Sequence, residues 1–360
     1  MNLVRKLSIL FIGILLPSLS LSVDKKYDVV AIGNVMVDLI EYTSEDELYK
    51  IMPLGFHKAD TNKIDNKTAD QIHSNMHDII TIPGGSTANV MVDIASLGGK
   101  TAFNAISAND KFGKLFKESL IKEGVSYTSP FSKDLSQHTS LCFTFITPDK
   151  DRTFAVYADI AKEINDNFID YDAIKNSKVF YTDASNLSHG GNQSKVTFKA
   201  VDVAKNNGII TAFNLNNNHY VETYRDEIIS LLPKIDIIVG SEAEARNLFK
   251  VKTTDEAITK YLNYAQIVVI TQGKKGAIIA TKEAKFHIPT AGETSRIIDL
   301  NGAGDGFIAG FLYGYTHDYN LEDSGKLGAK TAAQIIYQVG ARPSKSLKKA
   351  LVLNLTTALK

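Results

Sequence analysis

Residues 298–315 hold the side chains of this chain that are best suited to chemistry. A Gly-Ala-Gly turn at Gly302, Ala303 and Gly304 is followed directly by Asp305 and then by apolar residues at helical spacing. A glycine turn that enters a helix leaves free N–H groups at the positive end of the helix dipole, which suits a phosphate. A carboxylate set there can accept a proton from a nucleophile that attacks a bound phosphoryl group. An Asp N-cap on an ordinary helix is the alternative, and the composition of the stretch leaves both open.

The same stretch resembles a family signature. From Asp299 it follows the pattern D-x-N-G-A-G-D-x-F-x-x-G-F, which resembles the C-terminal signature of the PfkB/ribokinase family of small-molecule kinases. The resemblance implies that Asp305 is the catalytic base and that the Gly-Ala-Gly turn forms the anion hole. Asn301 stands where many sugar kinases of the family have Thr or Val. Asn at this position resembles the adenosine kinase branch and is expected to lie at the substrate.

Residues 27–40 form an apolar run that is interrupted by polar side chains. The run predicts a buried strand of a parallel sheet, with Asn34 and Asp38 at the crevice where open α/β sheets bind ligands. Asn34 as a turn residue and Asp38 as a solvated strand end are the alternatives. The N-x-x-x-D spacing resembles the first strand of ribokinase-like kinases. It implies that Asp38 accepts hydrogen bonds from two sugar hydroxyls, a charge-assisted arrangement.

Residues 83–99 are typical of a glycine turn followed by a helix. Ser86 or Thr87 is predicted to cap this helix, and a glycine pair is predicted to end it. The G-G-S-x-x-N pattern also resembles the N-terminal signature of the same family. That resemblance implies that Gly85, Ser86 and Asn89 line the substrate pocket.

A second pair of glycines follows a buried strand near the C-terminal half of the chain. The pattern T-x-G-x-x-G at Thr271, Gly273 and Gly276 resembles the nucleotide-binding turn of the family, although two glycines also suit an ordinary hairpin. Because the Gly-Ala-Gly-Asp stretch follows in the expected order, the resemblance implies that these three residues bind ATP.

Ser241 and Glu244 follow another strand, at the place where the family has an N-x-x-E motif linked to Mg²⁺ and phosphate. Ser241 replaces the Asn, but its hydroxyl can still bond a water or a phosphate. The resemblance implies that Ser241 contacts the nucleotide and that Mg²⁺ is held, mainly through water, near Glu244 and Asp299. Glu244 as a solvated residue in the first turn of a helix is the alternative.

The patterns between these motifs predict the scaffold. Strand and helix patterns alternate from residue 178 onward, which predicts a parallel sheet with helices on both faces. Two β-rich runs joined by the turn sequence PDKD predict a hairpin, and the resemblance implies that this hairpin builds a lid. We therefore expect a three-layer α/β/α ribokinase-like domain over residues 23–360, with a mostly parallel sheet. The expected small β-sheet lid comes from residues 38–44 and 126–160.

Composition narrows the possible partners. The chain has 360 residues, with 40 Lys and Arg against 40 Asp and Glu, so it lacks the basic excess of a nucleic-acid binder. Cys142 is the single cysteine, which excludes an internal disulfide and a cysteine metal site. The expected partners are a small-molecule substrate, ATP and Mg²⁺. A monomer or homodimer is expected, without nucleic acid and without stable membrane association of the mature domain.

Residues 1–22 differ from the rest of the chain. Arg5 and Lys6 precede the apolar residues 7–16, which is the layout of a secretory signal peptide and too short for a firm membrane span. ATP, however, is cytosolic. Three explanations are open: translation starts downstream near Val23, the segment is an N-terminal anchor, or the protein is exported. We favour a cytoplasmic mature chain from about Val23.

Three functional hypotheses follow. The first is an adenosine kinase-like enzyme that phosphorylates a primary hydroxyl of a ribose-type substrate, favoured by Asn301 and by the long polar segment 44–76. The second is a sugar kinase of the ribokinase or fructokinase type. The third is a non-catalytic ligand-binding protein of the same fold. Ser241 and the signal-like start favour this third hypothesis, whereas Asp305 and Asp38 oppose it.

A nucleoside would need an apolar cover for its purine ring. Phe143, Phe145 and Phe154 lie on the predicted lid hairpin and are candidates for that cover. All three also suit a hydrophobic core, so the sequence leaves their roles open.

Overall fold

The chain forms two β-sheets of different size with α-helices packed on them. The computed structural model describes residues 25–187 and 191–351. In chain order, the strands are β1 Tyr27–Ile32, β2 Val37–Tyr42, β3 Thr61–Lys63, β4 Ile80–Pro83, β5 Thr101–Asn104, β6 Val125–Tyr127, β7 Leu141–Ile146, β8 Arg152–Tyr157, β9 Ser177–Asp183, β10 Ile210–Asn214, β11 Ile237–Ser241, β12 Ile267–Thr271, β13 Ala277–Ala280 and β14 Lys285–Ile288. The α-helices are α1 Glu45–Ile51, α2 Asn66–Asn75, α3 Ser86–Leu97, α4 Lys111–Lys122, α5 Tyr171–Lys175, α6 Gly191–Asn206, α7 Asn218–Thr223, α8 Arg225–Leu231, α9 Glu242–Phe249, α10 Thr254–Tyr261, α11 Ala303–Thr316, α12 Leu321–Ile336 and α13 Leu347–Ala350.

The larger sheet lies at the centre of three layers. Its order is β14-β13-β12-β11-β10-β9-β1-β5-β6, parallel throughout except for the antiparallel strands β13 and β14. Every residue of β1 is buried, and successive residues face opposite cores: Val29 belongs to a hydrophobic cluster with residues of α3, α11 and α12, whereas Val30 belongs to one with residues of α5 to α10. Helices that cover both faces explain why these strands are continuous apolar runs. The predicted α/β/α fold with a mostly parallel sheet is therefore confirmed.

The smaller sheet is the lid, with the order β3-β8-β7-β2-β4. Strands β7 and β8 pair antiparallel, which confirms the predicted hairpin. One face of this sheet is buried on β2, β7 and β8, and Leu39 and Phe143 on that face share a hydrophobic core with Leu48 of α1 and Ile72 of α2. The other face carries Asp38 and is only partly covered. The buried face of the lid thus belongs to the same hydrophobic core as one face of the central sheet, and its other face is partly open.

The predicted single strand over residues 27–40 is in fact two strands in different sheets. Strand β1 belongs to the central sheet, whereas β2 belongs to the lid, so Asp38 lies on the lid. Gly33 lies between them, where a Cβ atom would come within 2.6 Å of the Thr87 side chain. The lid also includes β3 and β4, which the sequence did not indicate, while β6 joins the central sheet. Hydrophobicity shows that each segment is buried but not which sheet buries it.

Helices α11 and α12 pack closely against each other at glycine residues. A Cβ atom at Gly310 would lie 2.7 Å from the Cα of Gly328, and Gly306 and Gly314 meet α12 as closely. This packing fixes the N-terminal end of α11. Helix α12 begins at Leu321, although the glycines in its first half have a low intrinsic helix propensity.

The segment over residues 1–22, predicted to be signal-like, lies outside the described residues. Across residues 25–187 and 191–351, no helix is both long enough and apolar enough to cross a membrane.

Candidate active site

Asp305 is held by two side chains from α3. The Ser86 hydroxyl donates to Oδ1 of Asp305 at 2.6 Å, and Nδ2 of Asn89 donates to Oδ2 at 3.0 Å. Ser86 was predicted, with Thr87, to cap α3, but the N-cap is Gly85, with φ 90° and no side-chain bond. The prediction of a Ser or Thr cap is therefore wrong, since the Ser86 hydroxyl is used by Asp305. The two signature motifs meet at this point through their helix N-termini.

The Gly-Ala-Gly turn forms the start of α11. Gly302 has φ 79°, and a Cβ atom there would lie 2.7 Å from Ala341, so only glycine fits. A Cβ atom at Gly304 would meet nothing within 4 Å, so the space beside the turn is open. In the described chain the N–H groups of Gly304 and Asp305 have no hydrogen-bond acceptor, whereas that of Ala303 donates to the Leu300 carbonyl at 3.3 Å. The open donors are those that an anion at this helix end would use.

Burial controls the charge of Asp305. Desolvation raises its pKa to about 6, and the negative charge of Asp183 acts in the same direction. The bonds from Ser86 and Asn89 and the positive charge of Arg342 oppose this rise. The result is a carboxylate that is ionised near neutral pH and basic enough to accept a proton, which suits a general base.

Asp38 lies on the open face of the lid, next to Cys142 on the neighbouring strand β7. A Cβ atom at Gly84 would overlap Oδ2 of Asp38, so the carboxylate occupies the space that a side chain at Gly84 would take. Burial raises the pKa of Asp38 to about 6, while a hydrogen bond from Cys142 and the charge of Arg342 lower it. Asp38 and Asp305 are thus both close enough to Arg342 for its charge to lower their pKa values.

Asn34 lies between β1 and β2, against the segment that follows β9. Its Nδ2 donates to the hydroxyl of Ser185 at 3.1 Å, and its Oδ1 accepts from Nε2 of Gln193 at 2.6 Å. Both ends of the amide are thus bonded within the protein. A direct contact of Asn34 with substrate stays a prediction.

Ser241 and Thr271 are brought together at one edge of the central sheet. They end β11 and β12 and are paired in the parallel register, at the carboxyl edge where such sheets bind ligands. Gly273 has φ 57°, and a Cβ atom there would meet nothing within 4 Å. At Gly276, with φ 90°, a Cβ atom would overlap the Ile288 carbonyl, so this glycine is required by the β12–β13 turn itself.

The two predicted metal ligands both bond to backbone groups. Glu244 and Ser241 form a capping box, in which Oε2 of Glu244 accepts from the Ser241 N–H at 2.8 Å. Asp299 accepts from the N–H groups of Asn301 at 3.0 Å and of Gly340 at 3.2 Å. Asn301 itself is exposed.

The side chains that could coordinate a metal ion determine how such an ion would be held. The described ranges contain no group of three or more His, Cys, Asp or Glu side chains that could hold a metal ion. Mg²⁺ in phosphotransfer sites keeps several waters and is bound through one or two carboxylates plus substrate phosphates. The lone pairs left on Glu244 and Asp299 fit an ion held in that way, through water.

Arg342 is the site residue that the sequence did not indicate. It follows α12 in a short segment that carries no recognisable motif, yet its guanidinium bonds to Asn89, Ser119 and the Gly84 carbonyl. A lone Arg before a Pro gives no signal of this kind, because the contacts depend on where the segment after α12 meets α3 and α4.

Comparison with known proteins agrees with this geometry. The family model described as pfkB family carbohydrate kinase matches residues 26–348. A parallel sheet with a lid, and a carboxylate at a glycine-turn helix start, place the protein among small-molecule kinases. The chain belongs to the PfkB family of carbohydrate kinases.

Individual relatives cover most of the chain. The 5-dehydro-2-deoxygluconokinase of Geobacillus kaustophilus is 30% identical over 284 residues, which cover 74% of this chain and 84% of that protein. Among solved structures, a probable sugar kinase from Rhizobium etli is 29% identical with a TM-score of 0.81, covering 91% of this chain and 98% of its own. The adenosine kinase from Sinorhizobium meliloti is 28% identical with a TM-score of 0.80, covering 91% and 99%. These names include different acceptors, so membership of the family establishes the class of reaction but not the acceptor.

Proposed function

We propose that this protein transfers the γ-phosphoryl group of ATP to a primary hydroxyl of a ribose-type acceptor, with adenosine or a related nucleoside preferred. The observation that carries the proposal is the position of Asp305 at the start of α11, bonded by Ser86 and Asn89 beside the open N–H groups of the glycine turn. Base and anion site are adjacent, as phosphotransfer to a hydroxyl requires.

In the proposed reaction, the carboxylate of Asp305 accepts the proton of the acceptor hydroxyl as its oxygen attacks the γ-phosphorus. The N–H groups of Gly304 and Asp305 stabilise the negative charge on the transferring group. Ser86 and Asn89 hold the carboxylate in place, so that little reorganisation is needed when the proton moves.

The nucleotide is proposed to lie along the edge formed by Ser241, Thr271 and Gly273, with its γ-phosphate directed to the turn before α11. Mg²⁺ bound with ATP would be held through water near Glu244 and Asp299, and would neutralise phosphate charge. Because ATP is the donor, the proposed reaction belongs in the cytoplasm.

The lid is proposed to close over the acceptor through its open face. Asp38 on this face would accept hydrogen bonds from two acceptor hydroxyls. Arg152, on the same face, lies 4.0 Å from Asp299, so the lid already approaches the segment before α11. Closure excludes water and thereby limits loss of ATP to hydrolysis.

The preference for a nucleoside has specific support. Asn301 resembles the adenosine kinase branch, and the Sinorhizobium meliloti adenosine kinase shares the fold over 91% of this chain. Of the three aromatic candidates, Phe143 and Phe145 are fully buried in the core that the lid shares with the central sheet, so they cannot cover a purine. Phe154 is partly exposed and lies across from Thr144 on the open face. It is the remaining candidate.

A sugar kinase is the second candidate function. The Geobacillus relative named 5-dehydro-2-deoxygluconokinase and the Rhizobium structure titled probable sugar kinase favour it. Asp305 and Asp38 would keep their proposed roles, because both act on acceptor hydroxyls and neither contacts a purine ring in the proposal. The non-catalytic alternative gains support only if no acceptor in a broad nucleoside and sugar panel is phosphorylated.

Adenosine is expected to have a higher specificity constant than ribose, fructose or 5-dehydro-2-deoxygluconate in competition assays with ATP and Mg²⁺. Burying the face of a purine against Phe154 adds binding free energy of about 25 cal/mol per Å² of apolar area. The variant Phe154→Ala should narrow the preference for adenosine over ribose and leave the ribose reaction nearly unchanged. A higher specificity constant for any of the sugars would replace the nucleoside assignment by the sugar-kinase one.

The acid side of the pH profile of kcat/KM is expected to have its midpoint near pH 6. Asp305 can accept a proton, and Asp38 can accept two hydroxyl bonds, only when ionised, and the pKa of each is raised to about 6. Below that pH both become protonated, so the logarithm of kcat/KM should fall with a slope approaching two. In the control variant Asp38→Asn the slope should fall to one. A midpoint near the ordinary carboxylate value of about 4 would contradict this.

A further inference from the structure

The Arg342 side chain bonds to three different segments of the chain. Its Nε donates to Oδ1 of Asn89 at 3.0 Å, one Nη donates to the Ser119 hydroxyl at 3.0 Å, and the other donates to the Gly84 carbonyl at 3.1 Å. The segment after α12 is thereby tied to α3, to α4 and to the turn after β4. Arginine suits this position because its planar group presents donors in a fixed fork.

The bond to Asn89 determines which way that amide points. An Asn side chain has an acceptor oxygen on one side and two donor hydrogens on the other. Since Nε of Arg342 can only donate, it selects the orientation in which Oδ1 of Asn89 faces Arg342. Nδ2 is then directed to Asp305, to which it donates at 3.0 Å. If the amide turned over, its oxygen would face the carboxylate and repel it.

Arg342 also supplies charge to an acidic neighbourhood. Four carboxyl groups act on its charge: Asp38 of β2, Asp93 of α3, Glu123 after α4 and Asp305 of α11. Asp183 of β9 acts on Asp305. Asp93 is fully buried, neither of its carboxylate oxygens has a hydrogen-bond partner among the described residues, and burial holds its pKa well above the ordinary value. The Arg342 charge lowers the pKa of both Asp38 and Asp305, although nearby Glu123 also faces the guanidinium.

We propose that Arg342 is a positioning residue for phosphotransfer: it orients the Asn89 amide so that Asn89 holds Asp305, and it holds the Gly84 backbone against Asp38. The inference rests on the proposed function, since it assigns a role within that same site. Arg342 acts on the base through Asn89 and through charge, and on Asp38 through the Gly84 backbone.

Two substitutions distinguish the effect of Arg342 on the orientation of the Asn89 amide from the effect of its charge. Arg342→Lys keeps the positive charge but loses the planar set of guanidinium donors, whereas Arg342→Gln loses both the charge and these donors. Each is expected to lower kcat about tenfold through misplacement of the base, with the KM for ATP within about twofold of the wild type. Only Arg342→Gln should move the acid limb of the pH profile to higher pH, because loss of a positive charge favours the protonated carboxylate.

A double-mutant cycle tests the route through Asn89. Adding Arg342→Lys to Asn89→Ala should lower kcat little beyond Asn89→Ala alone, because the contact through which Arg342 acts is already absent. Arg225→Gln is the matched control, since Arg225 also bonds backbone carbonyls, those of Asn247 and Leu248 at the end of α9. Its loss is expected to lower Tm without changing kcat of the folded protein.

A carbon-13 NMR titration of the Asp305 carboxylate, assigned with Asp305→Asn, needs no turnover. If wild-type protein phosphorylates nothing, the proposed function fails, and the titration still decides whether Arg342 controls Asp305. An upward shift of the Asp305 titration in Arg342→Gln supports the inference. An unmoved titration, full kcat of folded Arg342→Gln, or fully additive losses in the cycle would overturn it.

Discussion

Replacing Asp305 by Asn is expected to lower kcat by about 10²–10⁴-fold, the usual loss when a general base is removed. The amide has the shape of the carboxylate, so the Ser86 hydroxyl can still donate to its oxygen, but it cannot accept the proton of the attacking hydroxyl. Folding and ATP affinity should be close to those of the wild type. Steady-state kinetics at saturating substrates, with calorimetric ATP binding and a thermal melt, measure all three quantities.

The matched control for this variant is Asp172→Asn, which changes an exposed acid that forms an ion pair with Lys175 on α5. Its turnover should equal that of the wild type. Turnover of Asp305→Asn within a few-fold of the wild type would show that Asp305 is not the base, even if the protein is a kinase.

Asp38→Ala is expected to weaken acceptor binding by about 1.5–3 kcal/mol, the cost of losing a charged hydrogen-bond partner. The KM for ATP should hardly change, because Asp38 lies on the lid and the predicted ATP residues end strands of the central sheet. Initial-rate measurements with each substrate varied in turn separate the two effects.

Glu47→Ala serves as the control, since Glu47 lies on α1, which packs against the lid, and forms an exposed ion pair with Lys50. Exposed pairs contribute little, so neither KM should move. Equal losses for acceptor and ATP in Asp38→Ala would mean that Asp38 supports the structure of the lid rather than the acceptor.

The local parts of the site could be predicted from the sequence. The turn before Asp305 depends on glycines within a few residues of each other, and the hairpin of β7 and β8 depends on two β-rich runs around a turn sequence. Such features are encoded by neighbouring residues, so short patterns identify them. The alternation of strands and helices after residue 178 was likewise sufficient for the three-layer fold.

The remaining parts depend on contacts between distant segments. Ser86 has the side chain of a helix cap, but Asp305, more than two hundred residues away, competes for its hydroxyl. Arg342 gains its role only when the end of α12 reaches α3 and α4. The division of residues 27–40 into β1 and β2 depends on which strands are available as partners. No short pattern contains that information.

The assignment of Asp38 to the lid has a consequence for the order in which substrates act. A ligand shifts a conformational equilibrium only if it interacts differently with the two states. ATP on the Ser241–Thr271 edge would touch mainly the central sheet, whereas an acceptor held by Asp38 and Asp305 would span both sheets. The acceptor would then contact both sheets and favour the closed arrangement of the lid, whereas ATP alone would leave the lid open. Arrival of the acceptor, rather than of the energy-rich nucleotide, would commit the enzyme to a turnover.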